Sequence, residues 1–280
     1  MMDVYRLGYV FLFIIIGLCV GSFLNVIIYR LPIILTGMVS KNSVKYKESD
    51  VFKSKINLLF PRSFCPGCFN PLRVEHNIPV FSWLFLRGVT HCCHQRISPR
   101  YLIVELLTAI LTLAVIYSIK SDYITIASLF LVWALIVLSF IDLDCYLLPD
   151  CITFPLLWCG LLFNINNGLS SLPFAVIGAV VGYLFLWLPY WLLKFFRGIE
   201  GMGYGDFKLM SALGAWFGLS AIPVLILLSS CFGIMAYIVI HKTSKNKVKY
   251  IAFGPYIALS GVIYLLIISD FKQINYGSIF

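Results

Sequence analysis

Eight apolar runs alternate with polar segments along this chain, at residues 9–29, 102–119, 124–141, 152–165, 172–196, 207–219, 222–240 and 251–268. Runs approaching the ~20 residues needed to cross a bilayer predict transmembrane helices. The pattern therefore predicts an all-α polytopic membrane protein of about eight spans. The runs at 152–165 and 207–219 are the shortest, which leaves six and seven as the smaller counts. Only Arg6 precedes the first run, and Leu18 is too bulky for the small residue expected before a lipid-modified Cys19. That run reads as a retained membrane helix rather than a cleaved signal. Between the first two runs lies a long polar insertion, residues 30–101.

Composition sharpens the class. Apolar residues make up 61% and charged residues 12%, about half the charged share of an ordinary soluble domain. With a mean hydropathy of +0.95, a soluble core of this size has no room for so much apolar surface.

The net charge of +9 raises nucleic acid as a partner, but its placement argues against it. Residues 30–100 carry Arg30, Lys41, Lys45, Lys47, Lys53, Lys55, Arg62, Arg73, Arg87, Arg96 and Arg100 against the acids Glu48, Asp50 and Glu75. With the insertion in the cytoplasm and eight alternating spans, all of the 21 basic residues except Arg6, Lys120 and Lys272 fall inside or on inside flanks, as the positive-inside rule requires. The organisation expected is a first membrane helix (1–29), a cytoplasmic basic loop (30–101) and a membrane-embedded remainder (102–280). The partner expected is the lipid bilayer, not nucleic acid.

Two carboxylates then stand out. Asp142 ends the third span in IDLDCYLLPD, and Asp206 begins the sixth in GMGYGDFKLM. Ionisable groups beside hydrocarbon are costly and mark function. This topology puts both at the cytoplasmic surface. Two carboxylates sharing one site divide the roles of general base and general acid on a water, the logic of aspartic proteases, which needs neither nucleophilic side chain nor metal. Gly203 and Gly205 clear the approach to Asp206; the bland alternative is a helix N-cap after a glycine turn. Asp142 and Asp144 point to different faces of a helix, and the residues alone leave the choice between them open. Asp150 reads as an N-cap. Lys208 tunes Asp206 or snorkels, Glu105 pairs with a base such as Arg100, and Asn25 makes an interhelical hydrogen bond.

Of the nine cysteines, Cys65, Cys68, Cys92 and Cys93 lie in the insertion. In a cytoplasmic loop, metal binding is a sharper reading than disulfides. Cys65-Pro66-Gly67-Cys68 has the spacing of a zinc knuckle. A catalytic zinc lacks support, because no His-Glu-x-x-His helix occurs.

Four segments, GSFLNVIIYRLP (21–32), IDLDCYLLPD (141–150), GMGYGDFKLM (201–210) and FGPYIAL (253–259), resemble the type IV prepilin leader peptidases. These are polytopic inner-membrane aspartic proteases sharing a glycine-x-glycine-aspartate motif with presenilin-type enzymes. The resemblance runs nearly end to end. It implies cleavage of the short basic leader of prepilins or pseudopilins after a glycine on the cytoplasmic side. It also implies N-methylation of the new terminus with S-adenosylmethionine. It identifies Asp142, rather than Asp144, and Asp206 as the catalytic pair, and makes 102–280 the peptidase domain. Members with the loop carry two Cys-x-x-Cys pairs thought to hold zinc. Here the second aligns at Thr90 and Cys93, so Cys92, or alternatively His91 or His94, would complete the set with Cys65, Cys68 and Cys93.

Two rival classes remain at this stage: an ion- or proton-coupled transporter using intramembrane carboxylates, and a non-enzymatic zinc-binding assembly protein of a pilus or secretion machine. The first predicts an internal repeat and acids nearer the bilayer midplane; the second leaves Asp142 and Asp206 without a role. The polar stretch 41–55 reads as a surface excursion, and Asp144 and Glu200 as contacts for a basic leader.

Overall fold

A computed structural model of the chain describes residues 2–36, 57–60, 62–65, 68, 70–72, 78–198, 202–243 and 251–277. The stretch 41–55 and Glu200 lie outside them. Among the described residues the helices are α1 (Met2–Thr36), α2 (Phe81–Phe85), α3 (Arg100–Ser118), α4 (Asp122–Cys145), α5 (Asp150–Asn164), α6 (Leu172–Arg197), α7 (Tyr204–Phe217), α8 (Ile222–Thr243) and α9 (Gly254–Gly277). Among the described residues a 3-10 turn at Leu219–Ala221 and two isolated β-bridges accompany them. The protein is thus an all-α polytopic membrane protein. Each apolar run forms a helix, and the insertion contributes the short α2. Among the described residues five helices are long and apolar enough to cross a bilayer, while α5 and the apolar part of α9 are shorter. α7, with 14 residues, is about 21 Å long, short of the ~30 Å hydrocarbon core. Phe11, Ile110, Trp158, Leu162 and Leu227 are exposed on their helices, as lipid-facing positions should be.

The chain divides into two compact units, Met1–Tyr117 and Ser118–Phe280. In the first, α1 and α3 run antiparallel with small residues at the seam. A Cβ on Gly17 would lie 2.7 Å from Ala109 Cα, and one on Gly21 2.7 Å from Glu105 Cα. One turn further on, Asn25 Nδ2 donates to the Tyr101 carbonyl at 3.0 Å. Positions 17, 21 and 25 thus meet 109, 105 and 101 in step, the close small-residue packing that membrane helices favour. The interhelical role expected of Asn25 is met. Glu105 has a different partner from the basic one expected: its buried carboxylate accepts the Val80 backbone N–H at 2.8 Å.

The second unit is built around α7, which packs against α5, α6 and α9, while α9 also packs on α4 and α8. Asp206, Phe207 and every residue from Leu209 to Phe217 are buried. Gly214 and Gly178 bring the α6 and α7 backbones into direct contact, and Ser211 Oγ donates to the Ala179 carbonyl at 2.8 Å. At the far end of α7, Trp216 Nε1 donates to the Leu156 carbonyl at 2.8 Å.

Asn164, the last residue of α5, spends its whole hydrogen-bonding capacity on backbone. Its Nδ2 donates to the Ala215 and Trp216 carbonyls at 2.8 and 2.9 Å, and its Oδ1 accepts the Leu169 and Ser170 N–H groups at 2.9 and 3.0 Å. A leucine there strands these groups, each worth about 1–3 kcal/mol when buried and unpaired. Asn164→Leu is therefore expected to cost about 3 kcal/mol or more, read as a lower melting temperature in detergent and lower membrane abundance. A wild-type melting temperature would show that the four bonds do not hold the α5–α7 junction.

Candidate functional site

Asp142 lies in the last turn of α4. The helix stops at Tyr146, whose left-handed conformation (φ 53°) returns its N–H to the Asp142 carbonyl at 2.9 Å. The turn that follows brings Leu148 back into the protein before α5 begins at Asp150. Asp206 lies in the first turn of α7, whose N-cap is Gly203. Asp206 is therefore not the N-cap that the bland reading supposed, and its own N–H donates to the Gly203 carbonyl at 3.2 Å.

A third helix start completes the arrangement. The Gly254 N–H, opening α9, donates to Asp142 Oδ2 at 2.9 Å. Glycine is required at Gly205 and Gly254 for closeness rather than for backbone freedom. A Cβ on Gly205 would sit 2.7 Å from Leu148 Cβ; one on Gly254 would sit 2.7 Å from Asp142 Oδ2 and 3.2 Å from Leu148 Cδ2. Leu148 is thus a wedge between two glycines, one beside each aspartate. Asp142 and Asp206 are 6% and 7% exposed, and the one leucine side chain touches the glycine beside each of them. Two buried carboxylates brought to one place from separate helices can grip one water.

The neighbouring charges sort differently from the sequence expectations. Lys208 Nζ pairs with Asp150, at 2.6 Å to Oδ1 and 2.8 Å to Oδ2, and lies 5.1 Å from the centre of the Phe154 ring. Lys208 is therefore a tie between α7 and α5 rather than a partner for Asp206, and the Asp150 carboxylate holds that lysine instead of capping α5. Asp144, read as a leader contact, is 5% exposed, as buried as the two aspartates of the site. The contacts of Leu148 and Gly254 were not anticipated, although both residues lie in segments, 141–150 and 253–259, that carry the family resemblance.

In the first unit the four loop cysteines converge. The sulfurs of Cys65, Cys68, Cys92 and Cys93 all lie within 4.8 Å of one another, with Cys65–Cys93 at 3.5 Å and Cys68–Cys92 at 3.1 Å. Tetrahedral zinc with ~2.3 Å bonds sets its sulfurs ~3.8 Å apart, so the set fits a metal. Hydrogen bonding with Cys68 pushes the Cys92 thiol up to about 12. Crowded thiols resist ionising against one another, whereas a divalent cation at their centre holds them as thiolates. His91 and His94 are not in the group.

Two matching turns carry these residues. In the first, Phe64 bridges Pro71, the Cys65 N–H donates to the Asn70 carbonyl and the Leu72 N–H to the Ser63 carbonyl. In the second, Val89 bridges Arg96, the Thr90 N–H donates to the Gln95 carbonyl and the Ile97 N–H to the Gly88 carbonyl. The correspondence pairs Cys68 with Cys93 and Cys65 with Thr90. Thr90 thus stands at a ligand position, its Oγ1 lying 3.3 Å from Cys93 Sγ, and Cys92 supplies the fourth sulfur from two residues later.

Comparison with known proteins agrees with this two-part layout. Residues 15–119 match the family model of the bacterial peptidase A24 N-terminal domain, and residues 129–238 match that of the type IV leader peptidase family. The prepilin leader peptidase/N-methyltransferase of Aeromonas hydrophila is 50% identical over 261 residues, 92% of this chain and 89% of that protein. Proteins of the same name from Neisseria gonorrhoeae and Dickeya chrysanthemi are 43% and 40% identical over 94% and 91% of this chain, and 92% and 91% of their own. No solved structure matches.

Proposed function

As the chain belongs to the type IV leader peptidase family, we propose that it is a membrane aspartic endopeptidase that removes the basic leader from prepilins or pseudopilins after a glycine, then N-methylates the new terminus. The observation that carries the reading is the buried pair Asp142 and Asp206 where the end of α4 and the starts of α7 and α9 meet around Leu148. One ionised carboxylate takes a proton from the water as its oxygen attacks the glycine carbonyl carbon. The protonated partner donates to the carbonyl oxygen. Collapse of the tetrahedral intermediate then breaks the C–N bond: the proton held by the first carboxylate passes to the leaving amine, and the partner carboxylate takes a hydroxyl proton back as the carbonyl re-forms. The catalytic machinery falls in residues 102–280. The basic residues of the loop support a site at the cytoplasmic face of the inner membrane, by the positive-inside rule.

The cysteine cluster supports a structural zinc held by Cys65, Cys68, Cys92 and Cys93, which would order the loop and takes no part in cleavage. The methyl group comes from S-adenosylmethionine, as the relatives' second activity suggests. Among the described residues no parallel sheet offers the strand ends that cradle nucleotide cofactors, so no side chain is assigned to it. The transporter and assembly-protein readings draw no support from the family matches or the relatives' names.

Co-expression with a prepilin tests the function. A shortened product whose N-terminal mass shows both leader loss and one added methyl group is expected; an unprocessed prepilin beside well-expressed protein would refute it. Gly254→Ala provides a local test. The new methyl group displaces the Asp142 carboxylate, and ångström-scale misplacement costs on the order of 10²-fold in rate. Cleavage should fall by at least about tenfold with abundance unchanged. Normal cleavage would show that the Gly254 contact does not set the position of Asp142.

A further inference from the structure

The insertion carries an apolar face that the peptidase reading leaves unused. α2 places Phe81, Leu84 and Phe85 at i, i+3 and i+4, one face of a helical turn, and these are 56%, 55% and 84% exposed. Trp83 turns the other way, onto Gly88. The helix therefore packs only its Trp83 side on the loop and presents its other large apolar side chains outward.

Its depth is fixed by the residue that precedes it. Val80 sits at φ 62°, ψ −50°, with the Phe81 N–H donating to the Pro79 carbonyl at 2.6 Å. This is a γ-turn, strained for a β-branched residue. The turn aims the Val80 N–H at Glu105 Oε2, 2.8 Å away. Glu105 is the sixth residue of α3, roughly 7.5 Å along its axis. α3 has 19 residues, about 28 Å, so its whole length is needed to cross a ~30 Å hydrocarbon core. A backbone group tied to Glu105 therefore lies at or below the headgroup boundary. A second turn of the insertion is tied to a membrane helix in the same way: Arg30 Nη1 on α1 donates to the Asn57 and Leu58 carbonyls at 3.0 and 3.3 Å, and Leu59 and Phe60 are 77% and 66% exposed.

We propose that residues 78–85 are an interfacial anchor, with Phe81, Leu84 and Phe85 seated among lipid acyl chains and headgroups beside the start of α3. Arg87 and Arg100 add attraction for anionic headgroups. α2 runs through Arg87 into Gly88, the first residue of the second cysteine turn, so the anchor also ties the start of that turn to the bilayer surface, while Arg96 at its other end points to water.

The test places the photocrosslinker p-benzoylphenylalanine at Phe81, Phe85 or the exposed Arg96 of the full chain, in nanodiscs of phosphatidylethanolamine and phosphatidylglycerol. Exchanging one exposed ring for another leaves the packing intact. After irradiation, intact mass should show phospholipid adducts at positions 81 and 85, several-fold above position 96. Adducts no more frequent than at 96, or a crosslink to a second copy of the chain, would overturn the proposal.

Discussion

Asp142→Asn and Asp206→Asn each abolish leader removal, a loss of ~10³-fold or more, while the protein still accumulates in the membrane. Asparagine keeps the shape of aspartate but neither takes a proton from water nor gives one to a carbonyl at useful rates. The Gly254 N–H still finds an oxygen at position 142, so the start of α9 stays in place. Asparagine at either position also adds no buried charge. Abundance should therefore match that of the wild type. Gel shift of a co-expressed prepilin, read beside an immunoblot of the membrane fraction, checks both halves. Processing that survives either substitution removes that residue from the chemistry.

The second large effect concerns the metal. Cys92→Ser, like Cys68→Ser, removes one of four sulfurs crowded within 4.8 Å. Apparent binding energies of structural zinc reach about 10–16 kcal/mol in small fingers, so losing a thiolate should empty the site and lower the abundance of the protein. Elemental analysis of the purified wild type should find one equivalent of zinc, and far less in either variant. The paired turns add a sharper expectation. Thr90 stands where its counterpart turn has Cys65, with Oγ1 at 3.3 Å from Cys93 Sγ. Thr90→Cys placed in the Cys92→Ser background should therefore restore both zinc content and abundance. Zinc retained by Cys92→Ser alone would remove Cys92 from the ligand set. If abundance holds while methyl transfer is lost, the loop belongs to the second activity instead.

The helices were legible because membrane spans are local features, runs of apolar residues with few charges. The aspartates were legible because ionisable groups at span ends are rare and costly. The four cysteines were legible as a set, although spacing alone did not choose Cys92 over His91. That choice needed two turns folded onto each other, 25 positions apart along the chain. Leu148 was not legible, since one leucine among many gives no sign of wedging between Gly205 and Gly254. The Lys208–Asp150 pair was missed for a similar reason. A lysine two residues from an aspartate suggests a local partner, but successive helical positions diverge, and the true partner is 58 residues away. Glu105 misled in the same sense, because its partner is a backbone N–H raised by a strained turn. Asn164 carried no signal at all, as its four bonds all reach backbone from one helix end.

The central claim is that Asp142 and Asp206 act together on one peptide bond. A cryo-EM structure of the Asp206→Asn protein with an uncleaved prepilin tests it most directly. The account predicts the scissile glycine carbonyl lying between residues 142 and 206, within about 3 Å of a side-chain oxygen or nitrogen directly or through a single water. A leader junction seated elsewhere on the protein, with both side chains turned away from it, would contradict the account.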